Sequence, residues 1–306
     1  MAGKKRGKTP SRSPSQLVSA LTRRGPHKVL RGDLGIVGIS GQVFTPAEGS
    51  RLPAIAFGHS WGADSRRYRD LLLHLASWGI VAAAPDGQRG FFPSDVALAA
   101  DLRATLTAVS SVSLGLGQVT VDPRRLGLAG HGFGASAAVI AASDERLLGQ
   151  QAPSIGAVAG LFPAPTTSIL EPAAARVQAP GMFVATAGDL DSVDANALRL
   201  TRAYGGDVTL RTIGGVSRGL LEKRSVKSLI GVNGANRGTH GVARALLVGF
   251  FLHQLTDDPE YQAFGDPEQA LGAASPVDLD DPPEDGLDMV SRLVGAKPPK
   301  KRSRVR

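Results

Sequence analysis

Residues 124–143 read RRLGLAGHGFGASAAVIAAS, and this stretch decides the fold. Leu126–Ala129 is a short apolar run, as a strand buried on both faces would show. Gly130-His131-Gly132-Phe133-Gly134 then packs three glycines into five residues, the composition of a sharp turn. Ala135, Ala137, Ala138 and Ala141 give the next segment a face of small residues, so that a helix there can lie close on a sheet. Strand, tight turn and closely packed helix are the parts of a nucleophile elbow, the G-x-S-x-G turn that lifts a serine above the strand ends. Here Gly132 stands where the serine should be. A full match occurs earlier, at Gly58-His59-Ser60-Trp61-Gly62, but it follows an early strand and precedes an ordinary crossover, SRRYRDLLLHLASWGIVAAAPD.

Outward from the elbow, strand and helix signals alternate. Strand-like runs are Gly35–Thr45, Ala54–Phe57, Ile80–Ala84, Ile155–Leu161, Met182–Thr186 and Val208–Ile213. Helical runs fall at Tyr68–Trp78, Val96–Ser110, Ala135–Ser143, Ala195–Tyr204 and Gly241–Leu255. This alternation predicts an α/β chain with a doubly wound, mostly parallel sheet and helices on both faces. No insertion long enough for a large lid domain is visible.

Charge divides the chain further. Nine Lys/Arg and no acid lie in residues 1–31, and seven Lys/Arg and no acid in residues 292–306. Removing these sixteen from the 35 basic residues leaves 19 against 27 acids, a net of −8 for residues 32–291. Residues 1–31 therefore read as a basic disordered tail, 32–272 as the folded domain, and 273–306 as an acidic and then basic tail. Within the first tail, Gln16–Arg23 could form a turn or two of helix. The tails suit an anionic surface, lipid headgroups or nucleic acid alike. Solvated tails, or tails folded back on the acidic DLDDPPEDGLD, are the plainer reading, and no nucleic-acid-binding motif is present.

The absence of cysteine excludes disulfides, thiolate metal sites and a cysteine nucleophile. The six histidines have no metal-ligand spacing, so neither a metal nor a cofactor is expected. Gly130-x-Gly132-x-x-Ala135 formally fits a dinucleotide fingerprint, but it lies mid-chain and no acid ends a strand about twenty residues on. No apolar run reaches the roughly 18 residues of a membrane span, and no secretory signal follows the basic start. A cytoplasmic protein, peripheral to a membrane if the tails bind one, is the expectation.

LPAIAFGHSWG, LASWGIVAAAPD, LGLAGHGFGAS, ATAGDLDS and DDPEYQAFGDP carry a resemblance. From about residue 30 to 272 the chain resembles the α/β-hydrolase superfamily, in its dienelactone-hydrolase-like and cutinase-like polyester hydrolase branch. The resemblance implies a nucleophile position at Gly132, an acid at Asp191 (Asp189 is two residues away) and a base at Arg218. It also implies that His59, Ser60 and Trp61 line the mouth of the site beside the oxyanion hole, with Phe133 following the elbow. Two triad positions thus depart from the family pattern. Gly132 has no side chain and Arg218 stays protonated, so serine-hydrolase chemistry cannot run through them.

Each residue also has a structural reading. Gly132 can be a plain turn glycine, Ser60 a turn-capping serine, and Asp191 an N-cap for the helix from Ala195. Arg218 can pair with a surface carboxylate, and His240 can cap the last helix, although it is also a conceivable displaced base. The sequence thus predicts a hydrolase-fold pseudoenzyme that binds a small acyl or anionic ligand or acts as a scaffold. One alternative is a carboxylic ester hydrolase with a non-standard site. Another is a nucleic-acid-associated protein working through its tails.

Overall fold

Ile55 and Phe57 join one hydrophobic core, while Ala54 and Ala56 between them join another. A strand whose alternate side chains are buried in different cores lies in the middle layer of three. The computed structural model describes residues 12–143, 146–147, 149, 153–167, 169–186, 190–192, 195–214 and 237–283.

In chain order the principal elements begin with α1 (Pro14–Leu21), β1 (Val29–Asp33), β2 (Gly41–Pro46) and β3 (Gly49–Gly58). Next come α2 (Arg69–Ser77), β4 (Val81–Pro85), α3 (Asp95–Ser111), β5 (Val119–His131) and α4 (Phe133–Ala142). Then follow β6 (Ala157–Leu161), α5 (Leu170–Ala174), β7 (Gly181–Thr186) and α6 (Ala197–Ala203). The last are β8 (Val208–Ile213), α7 (Arg237–Thr256) and β9 (Ala274–Pro276). The nine strands form one sheet in the order β1-β2-β4-β3-β5-β6-β7-β8-β9. From β4 to β8 all neighbours run parallel; β2 pairs antiparallel with both β1 and β4, and β9 antiparallel with β8. The chain is therefore α/β with a mostly parallel sheet.

Leu17, Leu75, Leu246 and Phe250 place α1, α2 and α7 on one face. Leu102, Ala138, Ala173 and Leu200 place α3 to α6 on the other. Gly127 receives the Phe251 ring of α7, where a Cβ would be only 2.7 Å from the ring.

The domain boundaries need correction at both ends. Ser13 caps α1 in a reciprocal box with Gln16, and Leu17, Val18 and Leu21 are buried against α7. Three buried apolar residues outweigh the basic composition around them. Val29–Asp33 is an edge strand, so the folded body begins well before residue 32. At the other end β9 pairs with β8 through Ala274, which is fully buried, so the body also continues past 272. Gly35–Thr45 is not one strand: residues 34–37 form a 3₁₀ turn closed by Gly38 at φ +77° before β2 begins. Residues 1–11 and 284–306, which hold most of the basic tail residues, lie outside the described residues.

Arg211 of β8 was not singled out by the sequence. It is fully buried and donates to the Gln269 and Asp266 carbonyls. Burial lowers its pKa to about 10, opposed by the nearby Asp266 charge, and it remains a cation at neutral pH. It fastens the segment before β9 to the sheet.

Candidate functional site

Gly132 is the link between β5 and α4, with φ +56° and ψ −118°. Side-chain-bearing residues occupy that region only under strain. Its N–H donates to the Leu161 carbonyl at 2.9 Å, and its carbonyl accepts from the amides of Ala135 at 3.1 Å and Ala164 at 3.3 Å. The flanking glycines have a steric reason. A Cβ on Gly130 or Gly134 would collide with the backbone of Gly134 or Gly58 respectively, because the first turn of α4 presses on the ends of β5 and β3. The small-residue pattern that set this segment apart is thus the pattern its packing requires.

Ser60 lies on the loop after β3, where the positive φ falls on Gly62 (+66°) and not on the serine, so Ser60 does not hold the strained position that Gly132 holds. Its carbonyl accepts from the Ala63 amide at 3.1 Å, which makes it a turn residue. Its own amide donates to the Tyr68 hydroxyl at 3.0 Å. Tyr68 Oη also meets His131 Nδ1 at 2.9 Å. Tyr68 and His131 are both buried in a row of rings, Tyr68 tilted on Phe57 and His131 edge to face with both Tyr68 and Phe162. Tyr68 went unnoticed in the sequence because its partners are distant along the chain; an isolated tyrosine at the start of a helix signals nothing.

His59 is fully buried with both ring nitrogens on carbonyl oxygens, Nδ1 at 2.9 Å from Ser60 and Nε2 at 2.7 Å from Gly87. Burial raises the pKa of the Asp101 carboxyl, and the His59 charge pulls it back. His59 therefore ties the β3 loop to the β4 loop, and a second tie runs from the Ser65 amide to Asp86 Oδ1 at 2.7 Å.

Phe133 is the first residue of α4, and the Trp61 ring meets its edge at 6.3 Å. The loop after β6 closes over the elbow. Ser136 Oγ donates to the Ala164 carbonyl at 2.6 Å, and Asp95 Oδ2 accepts from the Thr167 amide and hydroxyl at 3.2 and 2.7 Å. Pro163 of this loop accepts from the Asn196 amide at 3.3 Å. Asn196 is fully buried, and among the described residues neither its side-chain oxygen nor its nitrogen has a partner. The sequence drew no attention to it.

Asp191 lies beyond β7, partly exposed, 3.7 Å from Arg199 Nη2. It is not the N-cap of α6; Asn196 takes that position, and its side chain makes no capping bond. Asp189 and Arg218 lie outside the described residues. His240 stands in the first turn of α7, where its carbonyl accepts from Arg244 Nε at 3.2 Å and Gly241 beside it packs on Thr22 of the α1 side. The structure thus brings Gly132, Ser60, His59, Trp61 and Phe133 together, with Tyr68, His131 and Asn196 around them. Among the described residues no group of three or more acidic or histidine side chains could hold a metal ion. No helix among them is long and apolar enough to cross a membrane. Comparison with known proteins assigns no family: no family model matches the chain, and no curated protein matches it.

Proposed function

We propose that the chain is an α/β-hydrolase-fold protein, doubly wound, that binds a small acyl or anionic ligand without turning it over. The conformation of Gly132 carries this reading: a residue with nucleophile-elbow geometry follows the central strand, and it has no side chain. The strand order and the antiparallel β2 support the fold assignment. Phe133 heads α4, where its amide has no intrahelical acceptor and is suited to a ligand oxygen at the β5–α4 turn. The Ser60 amide is committed to Tyr68, so a second donor from the β3 loop falls to Trp61. The unpartnered Asn196 amide offers one donor and one acceptor group to a polar ligand. A cytoplasmic location accords with a chain free of cysteine.

The test is a pair of measurements on the full chain. A fluorophosphonate probe should leave it unlabelled, because an unactivated serine does not react. Thermal shifts with hexanoate and hexanamide should show stabilisation by one of them that Asn196→Leu abolishes. Failure of both ligands to shift the wild type, or a shift that survives Asn196→Leu, overturns the binding reading.

One observation favours ester hydrolysis as a second reading. The side chain of Ser60 approaches the place the elbow side chain would occupy. Labelling of the wild type that disappears in Ser60→Ala would establish it.

A further inference from the structure

The loop between β4 and α3 places two phenylalanines in water. Phe91 and Phe92 are 89% and 97% exposed. Loops ordinarily keep large apolar side chains out of such positions, because exposure forfeits the benefit of burying them. This is not a slack segment. Gln88, at φ +56°, accepts the Ser94 amide on its Oε1 at 3.0 Å, closing the loop at its base. The two ties from His59 and Asp86 then hold it beside the β3 loop, where Trp61 is 63% exposed. Because β3 and β4 are parallel neighbours, both loops leave the same edge of the sheet. Three aromatic rings therefore project from one edge on a fastened base.

Phenylalanine carries no polar handle and suits the acyl boundary; tryptophan suits the headgroup level. On the same two segments exposed Arg66, Arg67, Arg69 and Arg89 exceed Asp64, Asp70 and Asp86 by one charge. The larger cationic complement lies in the sequence ends, with four Lys/Arg in residues 1–11 and seven in 292–306, and no acid in either. Stable anchoring to a membrane takes two signals, an apolar insertion and a basic attraction, and this chain holds both.

We propose that Phe91, Phe92 and Trp61 form a membrane-docking tip that inserts into anionic phospholipid bilayers, with the basic chain ends holding the protein at the surface. This goes beyond ligand binding at the elbow and does not rest on it.

The full chain should float with phosphatidylcholine vesicles in which about one lipid in four is phosphatidylserine, and only weakly with phosphatidylcholine alone. Phe91→Ser/Phe92→Ser should lower partitioning roughly tenfold or more while leaving the unfolding midpoint unchanged, because both rings already stand in water. Brominated lipids should quench Trp61; Trp78, the other tryptophan, lies at the far end of α2 with its indole bonded to the Arg23 carbonyl. Three results would overturn the proposal: no flotation of the full chain, equal flotation of the double variant, or an unquenched Trp61. Self-association in solution, or binding of poly(U), that is lost in the double variant without vesicle binding would also overturn it, assigning the tip to a second copy or to RNA.

Discussion

The Cβ that Gly132 lacks would stand 3.4 Å from the Cβ of Ser60. The β3 loop and the β5–α4 turn thus converge on one point, and the hydroxyl stands on the loop. Collision does not bar a side chain at 132, because this spacing is ordinary contact. Backbone strain does oppose one. Gly132→Ser should cost about 1–3 kcal/mol in urea unfolding and, with no base placed against it among the described residues, should add no aryl-ester turnover.

Tyr68 joins Ser60 to His131 through one hydroxyl inside the core. Tyr68→Phe leaves the ring stack intact but removes the hydroxyl that the Ser60 amide and His131 Nδ1 share. Loss of about 1–3 kcal/mol in denaturant unfolding is expected. An unchanged midpoint would show that the bridge contributes nothing to stability.

His74, buried on α2, has its pKa lowered to about 4, chiefly by burial and further by the Arg244 and Arg24 charges, against the hydrogen bond from Nε2 to the Leu21 carbonyl. The unfolded chain takes up this proton near 6.5 and the folded chain only near 4. Between those values the unfolded state binds more protons, so stability falls as pH drops through that window and the loss is complete below it. Its size is on the order of 3 kcal/mol. His74→Gln, which keeps a donor for Leu21 without titrating, should flatten that part of a stability-against-pH curve.

Leu21 closes the contact of α1 with the body and is almost wholly buried. Leu21→Ala should cost about 2–5 kcal/mol, visible as a lower thermal midpoint. A dispensable tail would show no change.

The strands from Ala54 to Ile213 were legible because they are apolar and bounded by turn residues, and the β5–α4 turn because three glycines in five residues mark a tight turn. The missed parts share a physical cause. Val29–Asp33 is an edge strand with Arg31 and Asp33 exposed, as edges that avoid pairing with other chains are. Ala274–Pro276 is three residues long and has no period to read. In α1, Leu17, Val18 and Leu21 are too few to stand out among lysines, arginines, serines and prolines, and only α7 makes them core. At the site, Gly132, Ser60, His59, Trp61 and Phe133 were named because they are neighbours of a motif. Tyr68 and Asn196 were not, because their roles depend on which loops the sheet order brings together.

β5 has four strands on either side of it. Fraying begins at the margins of a sheet and works inward, so the strand leading into Gly132 is the last to lose its neighbours. The backbone amides of Leu128–Gly130 should exchange with deuterium only when the whole domain opens, while those of β1 and β9 exchange through small local openings. The turn at residue 132 therefore stands on the most slowly breathing part of the molecule, and its shape would persist under conditions that already loosen both rims.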